Sequence, residues 1–428
     1  MTARSLEQLS SVVSRNVAAL SRKLEARNIS SPTVQDIYAP NLGKIDAVAA
    51  TELANAAREL QALVQSPGQQ LNLLAFAYHD IASVGVLLEF NIPELVPLEG
   101  AISLGELAAK VGLLEDKLAR IVRYTITNFV FYEPEPNYIA HTPLSAALVR
   151  DPQFATYLRL SLVDLAPIAV ALPRALRKWP KTDSITECAV NAAFDTDETF
   201  FEWLSRNATR QARFDRGMAG FSRGDGAAAG RSSNIDIAAY PWGTALPADA
   251  VVVDVGGGSG HVSKALAEAF PSFRITVQDR PEAIEGVRRD DTSSPSNVSY
   301  EIHNFWDSQP IVGADVYFLR QVIHDWPDKE AVDILRALIP ALKPGARILV
   351  SEYVVPSPKE LGRPDQLLEA KMIRQMDLQM MAILNARERT LDELASLFAA
   401  ADPRLRFNAA YQVPDDRKVC IFEAIWDP

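Results

Sequence analysis

The stretch Val251–Phe270, VVVDVGGGSGHVSKALAEAF, constrains the fold more than any other part of the chain. A short β-branched run is followed by Gly256, Gly257, Gly258 and Gly260, and then by an amphipathic segment from His261. That order predicts a buried strand, a tight turn and a helix. Glycines at such a turn let a ligand approach the backbone at the carboxyl end of a strand. The spacing departs from two phosphate-binding patterns. In G-x-G-x-x-G the third glycine would fall at His261, and no lysine follows the loop as a P-loop requires. Asp279 closes the next strand-like run, about 20 residues on, where an acid accepts both ribose hydroxyls. The site therefore calls for a nucleoside with a free ribose and no phosphate. S-adenosylmethionine is such a ligand, and Asp254 beside the loop suits its cationic end. A purely structural strand–helix turn is the alternative, and it leaves Asp279 without a role.

From Asp249 onward strand and helix patterns alternate, with strands expected at Val251–Val255, Arg274–Asp279, Val298–Phe305, Ala314–Arg320 and Arg347–Val355. This is the pattern of a doubly wound parallel sheet. The last two strands, LRFNAAYQV and KVCIFEAIW, are separated only by PDDR, too short for a crossover, so they form an antiparallel hairpin. Upstream, Ser103 caps a short helix, Gly112 turns the chain into a helix from Glu115 to Asn128, and FVFYEP and NYIAHT make two short strands. Helix, turn, helix, hairpin is the order of a winged helix. Its second helix carries Lys117, Arg120 and Arg123 against Glu115 and Asp116, in a chain of net charge −11, which argues against a nucleic-acid partner. A dimerisation and lid module is the better reading. Four regions follow: a helical extension (1–66), the winged-helix dimerisation domain (67–150), a helical connection closing over the site (151–248) and the cofactor-binding α/β domain (249–428). The loop SRGDGAAAGRSSN falls near the end of the third.

The chain is 48% hydrophobic and 23% charged, as ordinary globular proteins are. Cys188 and Cys420 lie far apart without metal-ligand spacing, so no metal site is expected and the compartment is a reducing, cytoplasmic one. No membrane association is expected. The most apolar run, Leu71–Phe90, is interrupted by His79 and Asp80 and reads as a buried helix.

Three ordered stretches, DVGGGSGHVSKALAEAFPSFRITVQDRPEAI, GADVYFLRQVIHDWPDKEAVDILRAL and NARERTLDELASLF, resemble the fungal and plant class I small-molecule O-methyltransferases. The resemblance runs from about Leu71 to the end. It implies a Rossmann-like α/β methyltransferase domain, a seven-stranded sheet with an antiparallel terminal hairpin, preceded by an α-helical winged-helix dimerisation domain in a homodimer. It implies that Gly256 and Gly258 lie against the methionine part of S-adenosylmethionine, that Asp279, with Arg280 beside it, holds the ribose, and that Asn304 and Phe305 stand near the adenine. Asn304 replaces the family's usual acid and accepts through its carbonyl. Arg320 replaces a frequent lysine. Phe214 and Met218, in FDRGM, with Ser222, resemble the helix that closes over the cofactor's methyl end.

Within IHDW the resemblance makes His324 the general base, with Glu352 and Glu388 as the acids that orient it. A phenol with pKa about 10 must lose its proton before it accepts a methyl group, and an imidazole near its ordinary 6.5 is partly free base at neutral pH. Expected substrate contacts are His141, Phe214, Met218, Gln321, Asp325, Met376 and Met380. Capping of the following helix is an alternative role for His141, and core packing is one for the methionines. Gln321 stands where the plant enzymes often have an aromatic, so the substrate slot is not their flat phenylpropanoid clamp. O-methylation of a secondary metabolite such as a polyketide phenol is the leading function. The rival keeps the cofactor but catalyses dehydration or pericyclic ring closure.

Overall fold

The computed structural model describes residues 4–223, 237–290, 294–356, 367–413 and 416–428. Two compact units form: Met1–Ala166 with Glu360–Leu368, and Pro167–Lys359 with Glu369–Pro428.

The first unit opens with helices Leu6–Glu25 and Ala47–Val64. Ser5 and Gln8 make a capping box at the first, and Asp46 accepts the Ala49 N–H at 3.1 Å at the second. The apolar stretch expected as one buried helix is two, Pro67–Ala75 and Tyr78–Glu89. Burial holds only toward the end of the second, where Leu87 and Leu88 are buried; Leu71, Leu73, Leu74, Phe76 and Tyr78 are all more than half exposed. Apolar composition is the same for a core helix and for one that meets a partner, so sequence does not separate the two. By length and composition alone, the stretches Pro67–Glu89 and Pro152–Lys178 are long and apolar enough to cross a bilayer, a test that core helices of globular proteins also pass. Within the first, Asp80 accepts hydrogen bonds from the Tyr124 hydroxyl at 2.9 Å and Asn128 Nδ2 at 2.7 Å, which ties that face to a neighbouring helix.

The helix–turn–helix–hairpin order is present. Ser103 Oγ caps helix Leu104–Val111, Gly112 ends it at φ +76°, and helix Glu115–Ile126 follows. Strands β1 (Ile102–Ser103), β2 (Phe131–Glu135) and β3 (Tyr138–His141) form a small sheet in the order β1-β3-β2. Leu104, Leu107, Leu118, Val122, Phe131 and Ile139 close its core.

The second unit is built on seven strands: β4 (Val251–Val255), β5 (Arg274–Asp279), β6 (Val298–Ile302), β7 (Val316–Arg320), β8 (Arg347–Tyr353), β9 (Leu405–Val413) and β10 (Asp416–Trp426). Their order is β6-β5-β4-β7-β8-β10-β9, parallel from β6 through β8 and antiparallel at β10 and β9. The long β10 pairs with β8 from Val419↔Tyr353 to Ile425↔Arg347 and so fills the place between β8 and β9. Val252, Val253, Val316, Tyr317, Ile348 and Leu349 are buried, as expected of central strands covered on both faces. The chain moves outward from β4 through β5 to β6 and then returns to β7. The carboxyl ends of β4 and β7 therefore flank a topological switch point, where open α/β sheets bind ligands.

Candidate active site

The glycine loop follows β4 directly. The Gly256 N–H donates to Gln278 O at 2.8 Å, and Gly256, Gly258 and Gly260 all have positive φ, where side chains are disfavoured. A Cβ on Gly256 would lie 2.8 Å from Val322 Cγ2, and one on Gly260 would lie 2.8 Å from the Tyr300 hydroxyl. Gly258 differs, since a Cβ there meets nothing within 4 Å, and its backbone faces open space. Asp254 is not offered to that space. It is buried, and Oδ2 accepts the Ser263 hydroxyl at 2.6 Å, pinning helix His261–Ala269 to β4.

Asp279 ends β5 beside this loop. Oδ2 accepts the Gly258 N–H and Oδ1 the Arg280 N–H, each at 2.7 Å. One backbone donor per oxygen fixes the carboxylate and leaves lone-pair capacity on both oxygens. Burial raises the pKa of this acid, against the pull of those donors. An oriented carboxylate next to a side-chain-free stretch of backbone fits a ribose diol. Gly256, Gly258, Asp279, Arg280, Asn304, Phe305 and Arg320 all lie at the carboxyl ends of β4, β5, β6 and β7. Asn304 is exposed, and Phe305 joins Trp306 and Trp326 in an aromatic group with centroids 4.8–5.9 Å apart.

Phe214 packs edge-on to Phe200 and Phe201, and the Arg280 guanidinium lies 5.1 Å from the Phe201 ring centre. The helix Ala208–Arg223, which also carries a half-buried Met218, thus reaches the end of β5 through Phe201, a residue the sequence reading missed. The side chain of Ser222 and most of the loop SRGDGAAAGRSSN lie outside the described residues.

At the end of β7, Gln321 adopts φ +53° and its N–H donates to Ser351 O at 3.0 Å. This left-handed residue bends the chain into the 3-10 turn Ile323–Asp325. Three consecutive N–H groups, of Val322, Ile323 and His324, converge on Glu352 Oε1 at 3.2, 2.9 and 3.3 Å. Glu352 thus holds the backbone of the turn. Glu388 touches the ring, with Oε1 at 2.7 Å from His324 Nδ1. Glu352 Oε2 also lies 3.8 Å from His324 Nδ1, so both acids face the ring, Glu388 in contact and Glu352 behind it. His324 is buried, and Asp325 Oδ1 lies 3.5 Å from Nε2.

Burial alone would lower the His324 pKa, but the Glu388, Glu352 and Asp325 carboxylates outweigh it and raise it to about 10. Burial pushes Glu352 up to about 7 and Asp325 to about 6. The three acids around the ring favour imidazolium over the free base that an ordinary imidazole partly is at neutral pH. His324 Nδ1 and the carboxylates of Glu352 and Glu388 lie within 4.8 Å of one another, a spacing a metal ion also accepts. The 2.7 Å contact from Nδ1 to Glu388 is that of a proton-sharing pair, with Nδ1 as donor.

The remaining candidates are placed as follows. His141 is 2% exposed, with Nδ1 2.8 Å from Ser145 Oγ and Nε2 3.1 Å from Val96 O. Both ring nitrogens are engaged within the first unit, Nδ1 with the Ser145 hydroxyl in the first turn of helix Pro143–Arg150, whose N-cap is Thr142. Met380 is buried and Met376 half-buried on helix Leu367–Leu384. That helix also anchors Glu388, whose N–H donates to Asp377 Oδ1 at 3.1 Å. A cavity of about 300 Å³ in this unit is lined by Leu172, Trp179, Cys188, Asp377 and Met381 among others; none of the candidate residues lines it. The sequence reading also missed Arg389, which is 1% exposed.

A glycine loop at the switch point, a ribose-type acid and an acid-paired histidine define a class of α/β enzymes that bind a nucleoside cofactor at the carboxyl ends of the strands. Residues 183–402, just over half of the chain, match the family model described as the O-methyltransferase domain. The chlorophenol O-methyltransferase of Trichoderma longibrachiatum is 36% identical over 377 residues, 87% of this chain and 79% of that protein. The chain belongs to this O-methyltransferase family. Two solved structures share the fold. One described as a pericyclic reaction enzyme has TM-score 0.77 at 22% identity, covering 98% of this chain and 100% of its own. The other, LepI in complex with SAM, has TM-score 0.75 at 24% identity, covering 97% and 100%.

Proposed function

We propose that the protein methylates a phenolic hydroxyl of a secondary metabolite such as a polyketide, using S-adenosylmethionine, with His324 as general base. The observation that carries this reading is the Glu388–His324 pair, 2.7 Å apart, at the carboxyl end of β7, one strand over from the glycine loop. Bound against Gly256, Gly258 and Asp279, the cofactor supplies an electrophilic methyl group on a sulfonium centre. The rest falls to the chain's residues. With Nδ1–H donating to Glu388, Nε2 takes the phenolic proton when the ring is free base and already holds one in the imidazolium that the acids favour. A phenol near pKa 10 and an imidazolium near 10 make that transfer close to thermoneutral. A substrate arriving as phenolate against a protonated His324 reaches the same charge state without a transfer.

The Trichoderma relative, named a chlorophenol O-methyltransferase, supports a phenolic acceptor. Exposed Leu71, Leu73, Leu74, Phe76 and Tyr78 support a homodimer through helix Pro67–Ala75 and its neighbour, since obligate interfaces are built from such surface. Cys188 and Cys420 are buried thiols that form no disulfide, which fits a reducing, cytoplasmic setting.

The test is the balance of turnover. One S-adenosylhomocysteine released per product, with the product heavier by one methyl in place of hydrogen, is the expected result. Many product molecules per cofactor, with no added methyl, would overturn the reading in favour of ring closure or dehydration. A protonated His324 would then serve as a fixed charge.

A further inference from the structure

We propose that Arg389 is a positioning residue for His324, fixing the turn that presents the base; the proposal rests on the reading of His324 as base. Arg389 follows Glu388 directly, so one backbone segment makes two attachments to the same turn. Glu388 takes the ring. Arg389 takes the backbone on both sides of it, Nη1 donating to Ile323 O at 3.0 Å and Nη2 to Trp326 O at 2.7 Å. Nε donates to Asp328 Oδ1 at 2.9 Å.

An ion pair with Asp328 does not by itself account for burying a guanidinium. Asp328 is half exposed and pairs with Arg387 as well. What the interior adds is the pair of carbonyls that bracket His324. The Ile323 carbonyl already closes the turn by accepting the Trp326 N–H at 3.2 Å, and Arg389 occupies its second lone pair. On the opposite side of the turn, Glu352 gathers three N–H groups. The turn is therefore held between an anion at its donors and a cation at its acceptors. The clamp has its own anchor, because the Arg389 carbonyl accepts the Val355 N–H at 3.0 Å just beyond β8. Lysine would keep the charge but lose the planar fork that serves two carbonyls at once.

The experiment compares wild type, Arg389→Lys, His324→Ala and the double variant on two phenols, one neutral and one already ionised at the assay pH. With the neutral phenol, Arg389→Lys should lower kcat by about 10- to 100-fold, the range expected for an ångström-scale misplacement, with KM and cofactor affinity near wild type. The loss should shrink toward unity with the ionised phenol, and it should vanish in the His324→Ala background. Equal losses on both phenols, or an undiminished loss without His324, would overturn the positioning role while leaving the base reading intact. Wild-type turnover in His324→Ala would instead remove the base reading, and this role with it. Should Arg389→Lys fail to fold, Asp328→Asn loosens the same guanidinium from its exposed end. It should give a smaller loss confined to the neutral phenol, and an equal loss on both phenols would overturn the proposal.

Discussion

Replacing Glu388 with glutamine removes one charge from the His324 cluster and changes almost no volume. The consequence is read in the titration of the imidazole. A hydrogen bond to a charged acceptor exceeds a neutral one by about 1 kcal/mol, equivalent to slightly under one pKa unit, which sets the lower bound. Coulomb's law at 2.7 Å with an effective dielectric of about 20 gives ~6 kcal/mol, an upper bound of more than four units. Glu352 and Asp325 temper the effect, because each ionises more readily once Glu388 is neutral and keeps its own hold on the ring. A fall of roughly two units from about 10 is the expected outcome. Carbon-13 NMR of labelled histidine measures it, and with five histidines in the chain His324→Ala identifies the resonance. The lower pKa frees more imidazole at neutral pH and so offsets the weaker basicity; turnover should fall, by up to about 10⁴, only if the amide turns its NH₂ to Nδ1 and reverses the tautomer. Nothing among the described residues opposes that rotation, since Glu388 Oε2 has no hydrogen-bond partner. An imidazole that titrates where the wild type does would refute the claim that the acids set its charge.

Asp279→Ala should weaken S-adenosylhomocysteine binding by about 1.5–3 kcal/mol, roughly tenfold to over a hundredfold; calorimetry giving unchanged affinity would remove the ribose assignment. Light scattering at micromolar concentration should give twice the 47.0 kDa chain mass, and a monomer would refute the role proposed for the exposed apolar helix. Gly260→Ala should cost about 2–4 kcal/mol in urea unfolding, from the left-handed backbone together with the Tyr300 clash. Gly258→Ala, at the same sign of φ but in open space, should cost only about 1–2, and equal costs would contradict the packing described.

Where local pattern and tertiary environment agree, the sequence was readable. Val251–Val255 and Arg274–Asp279 are strands with the limits their β-branched runs indicate, and PDDR does join an antiparallel pair. The expected strand Val298–Phe305 stops at Ile302 because the aromatic residues after it pack on Trp326 instead of continuing the ladder. His324, Glu352 and Glu388 were found through motif order, and the structure brings them together. That Glu352 also gathers a row of N–H groups was not visible, because it depends on how β7 bends at Gln321. The charge of the imidazole was hidden for the same reason: it is a sum over three acids that meet only in space. Arg389 was missed because a lone arginine in a polar stretch gives no sign of burial. Leu71–Phe90 was misread since apolarity does not say what covers it.

The placing of β10 between β8 and β9 has a consequence in time. During synthesis β7 and β8 emerge long before the strand that will cover the outer edge of β8. Until then β8, which carries Glu352, is a bare ladder of unpaired N–H and C=O groups, the kind of edge that recruits a neighbouring chain. The turn of His324 has its Glu352 anchor early, but Glu388 and Arg389 arrive later and the sheet closes later still. The nascent protein thus holds the glycine loop and a half-anchored histidine turn on a sheet whose β8 edge stays open until β10 pairs with it.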